Sequence, residues 1–111
     1  MAGTLKKISG PAYLAAASAD IYTPPAATIY TIIRHIHIAN VTGVAATFTL
    51  YVGATAGAVG GTELFKAFPV AANGTYDYQC ALKLLSTEFL TGLASAGTTL
   101  TITVSGELVV V

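Results

Sequence analysis

His35 and His37 are the chain's two histidines, and one residue separates them. On a β-strand, residues two apart leave the same face. Both imidazoles therefore project together, at a spacing that suits two ligands of one metal ion. A cupin-type centre also needs a carboxylate a few residues on and a third histidine later. Val41 and Thr42 stand in the first place, and there is no third histidine. Asp77 or Glu63 could join the pair only through tertiary folding. The reading is therefore no metal and no cofactor, with His35 and His37 as the candidates if a metal binds at all. The rings are expected on an outer sheet face, or at a subunit contact that protonation would loosen.

The other reactive side chains point away from catalysis. Arg34 is expected to form a structural ion pair with a partner such as Asp20 or Asp77. Tyr76, Asp77 and Tyr78 place aromatic rings beside a carboxylate, as sugar-binding platforms do. The alternation, however, puts Tyr76 and Tyr78 with Cys80, Leu82 and Leu84, which is a packing pattern, and there is no Trp. Cys80 is the single cysteine, so it forms no disulfide within the chain, which fits synthesis in a reducing compartment. The alternation turns Lys83 to the other face, so no basic partner is placed beside it to make a thiolate, and it reads as a small buried hydrophobe. No Ser/His/Asp order, paired carboxylates, phosphate loop or CxxC is present. No catalytic residue is assigned, and the chain is read as not an enzyme.

The elements that must position these residues are strands. Ile29 to Asn40 and Thr47 to Val52 alternate in twos and are rich in β-branched and aromatic residues. They are expected to pair as an antiparallel hairpin around the turn Asn40 to Ala45, with Ile32, Ile36 and Ile38 on one face and His35, His37 and Ala39 on the other. Further strands are expected at Ile21–Thr23, where Pro24 and Pro25 mark an edge or corner, and at Glu63–Val70, Thr75–Leu84, Phe89–Ala94 and Thr98–Ser105. Asn73-Gly74 predicts a type I′ hairpin turn, Ala54–Gly61 a flexible loop, and Gly106 a break or bulge. Leu108–Val111 is expected to complete a sheet within the domain. Residues 1–10 read as an N-terminal arm carrying Lys6 and Lys7, and residues 11–111 as one domain. The fold class is all-β: an antiparallel β-sandwich, jelly-roll or Ig-like, of seven to eight strands.

Composition narrows the function classes. Of 111 residues only 9% are charged, five basic against five acidic, while alanine (20), threonine (16) and glycine (11) dominate. A neutral chain offers no electrostatic footprint for nucleic acid or an anionic membrane. So sparse a surface charge suits a protein covered by copies of itself or by a larger assembly. Lys6, Lys7 and the apolar run to Ala19 faintly imitate a secretory leader, but Gly10 and Pro11 interrupt it. No stretch has the unbroken apolar character of a membrane span.

Several segments carry a resemblance. Ile21-Tyr22-Thr23-Pro24-Pro25, Ile33-Arg34-His35-Ile36-His37-Ile38-Ala39-Asn40 and Phe48-Thr49-Leu50-Tyr51-Val52-Gly53 resemble a pattern in small virion proteins of tailed bacteriophages. Val70 to Gly74, Leu90 to Ala96 and Leu100 to Gly106 continue it, over residues 20–107. The resemblance implies a non-enzymatic β-sandwich component of a phage head or tail, assembled in the host cytoplasm. It transfers no catalytic residue. The expected function is capsid decoration, with the protein bound to the major capsid protein or other virion proteins as a homo-oligomer, a trimer being favoured. Lys6, Lys7, His35 and His37 are the candidate interaction residues. A tail or neck ring component and a carbohydrate-binding module for host attachment are the alternatives.

Overall fold

The computed structural model describes residues 4–25, 28–53 and 62–110, with backbone alone for residues 4–6 and 110. Eight strands are present: β1 (Thr4–Tyr13), β2 (Ala19–Tyr22), β3 (Thr28–Asn40), β4 (Ala46–Gly53), β5 (Glu63–Val70), β6 (Thr75–Leu85), β7 (Phe89–Ala94) and β8 (Leu100–Val110). There is no helix among the described residues. The strands form two four-stranded antiparallel sheets, ordered β1-β8-β3-β6 and β2-β7-β4-β5. Every consecutive pair except β4–β5 crosses from one sheet to the other. This is the jelly-roll arrangement, which decides between the two sandwich topologies expected from sequence.

That topology corrects the expected hairpins. β3 and β4 lie in different sheets, so the turn at residues 41–45 is a crossover. The same holds for β5 and β6. At the Asn73-Gly74 turn only Asn73 has a positive φ, of 56°. A type I′ turn requires positive φ at both central residues, so none forms here. Alternation and turn residues report where strands begin and end, but not which strand becomes the neighbour. The expected Ala54–Gly61 loop lies outside the described residues.

The inner faces pack into one core. Ile33, Ile36, Ile38, Leu84, Leu100, Ile102 and Val104 from one sheet meet Phe48, Leu50, Leu90 and Ala94 from the other, all 2% exposed or less. Tyr22 on β2 spans the two layers, its hydroxyl 2.6 Å from Thr31 Oγ1 on β3. Phe48, Phe65, Phe68, Tyr76 and Tyr78 form an aromatic cluster between β4, β5 and β6, with ring centroids 4.4 to 6.1 Å apart. Offset and edge-to-face rings at such spacings add to the burial term.

Both ends of the chain differ from or refine expectation. Residues 4–10, read as an arm, belong to β1, which pairs with β8 from Thr4↔Leu108 to Tyr13↔Thr101. β8 passes unbroken through Gly106 and lies between β1 and β3. The apolar C-terminal segment thus completes a sheet within the domain, as its sequence suggests.

Candidate functional site

Arg34, His35, His37 and Asp77 gather on the outer face of the β8-β3-β6 sheet. A bulge sets their phase. β3 buries Thr31 and Ile33, then Ile36, Ile38 and Asn40, with Arg34 and His35 between the two sets facing out. Along β8, Ile33 stands opposite Gly106 and His35 opposite Ser105, so Arg34 is the inserted residue. A bulge shifts the alternation by one. Ile33 therefore points inward and Ile32 outward, reversing the expected placement of Ile32 beside Ile36 and Ile38.

Gly106 makes this approach possible. A Cβ there would fall 2.0 Å from the Ile32 carbonyl oxygen and 2.9 Å from Ile8 Cδ1. The extruded Arg34 does not meet Asp20 or Asp77. Its Nε and Nη2 donate to Glu107 Oε2 on β8, at 2.7 and 2.6 Å. On the inner side of the same bulge, Cys80 Sγ donates to the Ile33 carbonyl at 3.2 Å. Burial pushes the Cys80 thiol up from its ordinary pKa, against smaller opposing effects of the Leu82 backbone and Arg34. Cys80 is a half-buried, protonated packing residue with a hydrogen bond, not an activated nucleophile.

Beyond the bulge, β3 and β6 place His37 directly opposite Asp77 and His35 opposite Gln79. His37 Nδ1–H donates to Asp77 Oδ1 at 2.6 Å, and His35 Nε2–H donates to the same oxygen at 2.8 Å. One is a direct cross-strand contact and the other a diagonal contact, the two geometries a sheet offers. The ring centroids are 6.2 Å apart. Hydrogen bonding by His37 holds the Asp77 carboxyl below its ordinary value; slight desolvation opposes this, and the His35 bond adds to it. All three side chains are 36 to 48% exposed, which keeps the energetic contribution of these contacts small.

Asp77 is thus the carboxylate that sequence could supply only by tertiary contact. Glu63 lies on the other sheet, 4.0 Å from Lys66. The trio is built as a hydrogen-bonded group. A zinc ion needs about 2.0–2.2 Å to each nitrogen and oxygen, and both nitrogens already lie against Oδ1. Among the described residues no three His, Cys, Asp or Glu side chains are spaced to hold a metal ion.

The other predicted residues divide. Lys7 is exposed on β1 opposite Ser105, and Lys6 pairs with Gly106 along the backbone, its side chain lying outside the described residues. Tyr76 and Tyr78 point inward to the aromatic cluster while Asp77 points outward, so the three do not share a face. Two concavities of about 110 and 60 Å³ lie near β1 and β2, well below the usual few hundred Å³ of a small-molecule site.

In sequence Asn40 reads only as a turn residue. It is 3% exposed and organises one end of the sandwich. Its Nδ2 donates to the carbonyls of Val44 and Val70 at 2.8 and 3.2 Å, and its Oδ1 accepts from Thr42 N and Oγ1 at 3.0 and 2.8 Å. The crossover it holds presents Val41 and Val44, 51% and 72% exposed. An Asn followed two residues on by Thr was the available signal.

Fold and outer face together define an eight-stranded jelly roll with a polar, hydrogen-bonded outer face. Comparisons with protein-family models, with curated proteins and with solved structures return no match. The jelly-roll architecture by itself does not choose a function, since it serves unrelated ones.

Proposed function

We propose that this chain is a non-enzymatic structural component of a tailed-bacteriophage virion, a decoration protein that binds the outer capsid shell as a symmetric oligomer. The observation that carries the reading is the crossover at residues 41–45. A buried amide with four hydrogen bonds holds it in one shape, and it offers two exposed valines to the outside. A preformed apolar projection loses little entropy on docking, which suits attachment to another protein. The low charge of the chain and the resemblance over residues 20–107 support the same class. Repetition over a symmetric shell would let modest contacts add up.

Immunogold electron microscopy of virions, with antibody raised against this chain, tests the reading. Gold distributed over the heads is the expected result. Gold confined to tails or necks moves the protein to the tail or neck ring, and its absence from the particle overturns the virion assignment.

A further inference from the structure

The two sheets have four edges, and three of them are strongly protected. β1 carries two register shifts and Pro11, which has no N–H to offer. β2 is four residues long. β5 contains Pro69, a left-handed Ala67 with φ 48°, and two register shifts. Bulges, prolines and shortness are how sheet edges avoid pairing with other chains. β6 is the least protected of the four: it carries the charges of Asp77 and Lys83 and one bulge, where its residues 79–82 face residues 33–35 of β3. It runs for eleven residues without proline or glycine, and the bulge beside Cys80 is its one register shift against β3. Its alternation is unbroken, with Thr75, Asp77, Gln79, Ala81, Lys83 and Leu85 all exposed. Among the described residues, no strand lies on its far side.

The β6 sequence is complementary to itself. An antiparallel copy centred on Cys80 places Asp77 opposite the partner's Lys83, and Lys83 opposite the partner's Asp77. The same register sets Tyr78 against the partner's Leu82 and Tyr76 against the partner's Leu84. Shifting the centre by one residue in either direction separates both charge pairs. The inward side adds apolar surface. Tyr76, Tyr78, Cys80 and Leu82 are only partly buried, whereas Ile33, Ile36 and Ile38 on the neighbouring strand are fully buried. Both Asp77 histidine bonds use Oδ1, so Oδ2 is the oxygen that would meet the partner's ammonium. Lys83 stands 4.7 Å from the centre of the Tyr30 ring on the same outer face.

We infer that β6 is a homodimer edge: two copies of this chain pair their β6 strands antiparallel about a two-fold axis at Cys80, joining two four-stranded sheets into one of eight. The contact is isologous, as closed two-fold assemblies require, and its affinity comes from main-chain hydrogen bonds, its register from the two Asp–Lys pairs. It makes a dimer where the sequence favoured a trimer. The inference stands apart from the virion reading, because it is tested in solution without a capsid.

The test is light scattering behind size exclusion on the full chain and three variants. The wild type is expected at twice the chain mass of 11.3 kDa. Asp77→Lys and Lys83→Asp each set like charges face to face and are expected to halve that mass. The double swap Asp77→Lys with Lys83→Asp restores opposite charges and is expected to restore the dimer, which a role confined to one chain would not do. Hydrogen exchange on the wild type gives a readout free of folding defects, with β6 amides gaining protection as concentration rises. A wild-type monomer or trimer overturns the inference. So does a dimer that survives both single swaps, one that the double swap fails to restore, or β6 protection that is independent of concentration.

Discussion

Asp77 Oδ1 lies 2.6 Å from His37 Nδ1, forty residues away in sequence. β3 and β6 bring them together by placing the two residues directly opposite, while the Arg34 bulge turns His35 to the same carboxylate. The result is an exposed polar contact across two strands that share no turn, and its thermodynamics can be read by changing pH.

Asp77 has a lowered pKa in the folded chain, chiefly through the His37 bond, against an ordinary 3.8. A carboxyl depressed on folding contributes stability that is present above its unfolded value and is lost as pH falls through its folded value. Asp77→Asn is therefore expected to be less stable than wild type near neutral pH, with the gap closing on acidification below about pH 4. Denaturant midpoints measured across that range check it. A gap that widens in acid contradicts the assignment.

The Tyr22 hydroxyl and Thr31 Oγ1 satisfy each other inside the core. Removing one leaves a buried hydroxyl without its partner, at a cost of about 1–3 kcal/mol. Tyr22→Phe and Thr31→Val are each expected to destabilise by that order. The double variant should cost less than the sum, because it strands neither group. A double-mutant cycle by chemical denaturation measures the coupling.

Gly106→Ala is expected to cost about 1–3 kcal/mol, the usual range for overpacking, since its Cβ would strike the Ile32 carbonyl at 2.0 Å. Gly97 is the control. A Cβ there meets nothing within 4 Å, so Gly97→Ala should fall within about 0.5 kcal/mol of wild type. Comparable losses in the two variants would remove the close-approach argument.

Deletion of residues 1–10 is expected to lower the thermal midpoint substantially. It removes seven of the ten residues of β1 and uncovers the edge of β8. An unchanged midpoint would mean that the segment behaves as the arm suggested by its sequence.

Strand positions were legible because burial writes itself into alternation. Glu63–Val70 and Phe89–Ala94 are recovered to the residue, and β6 to within one. The β3 phase was misread at Ile32 and Ile33 because a bulge leaves a short local trace in an apolar run, and Gly106, which admits it, is distant in sequence. Asp77 is one of two carboxylates that folding can bring to the histidines, and alternation alone cannot choose it over Glu63. Asn40 was hidden because a turn asparagine and a buried cross-linking amide look alike until Val70 arrives beside it.

Sequence alone determined the all-β class, most strand limits, the shared outward face of His35 and His37, and the inward face of Tyr76, Tyr78 and Cys80. These follow from a two-residue period, which is local. Tertiary structure decided the jelly-roll pairing, the extrusion of Arg34, the His35–Asp77–His37 contact and the place of β6 at a sheet edge. Each depends on which strand lies beside which, and that is set by how two apolar faces cover one another across the whole chain.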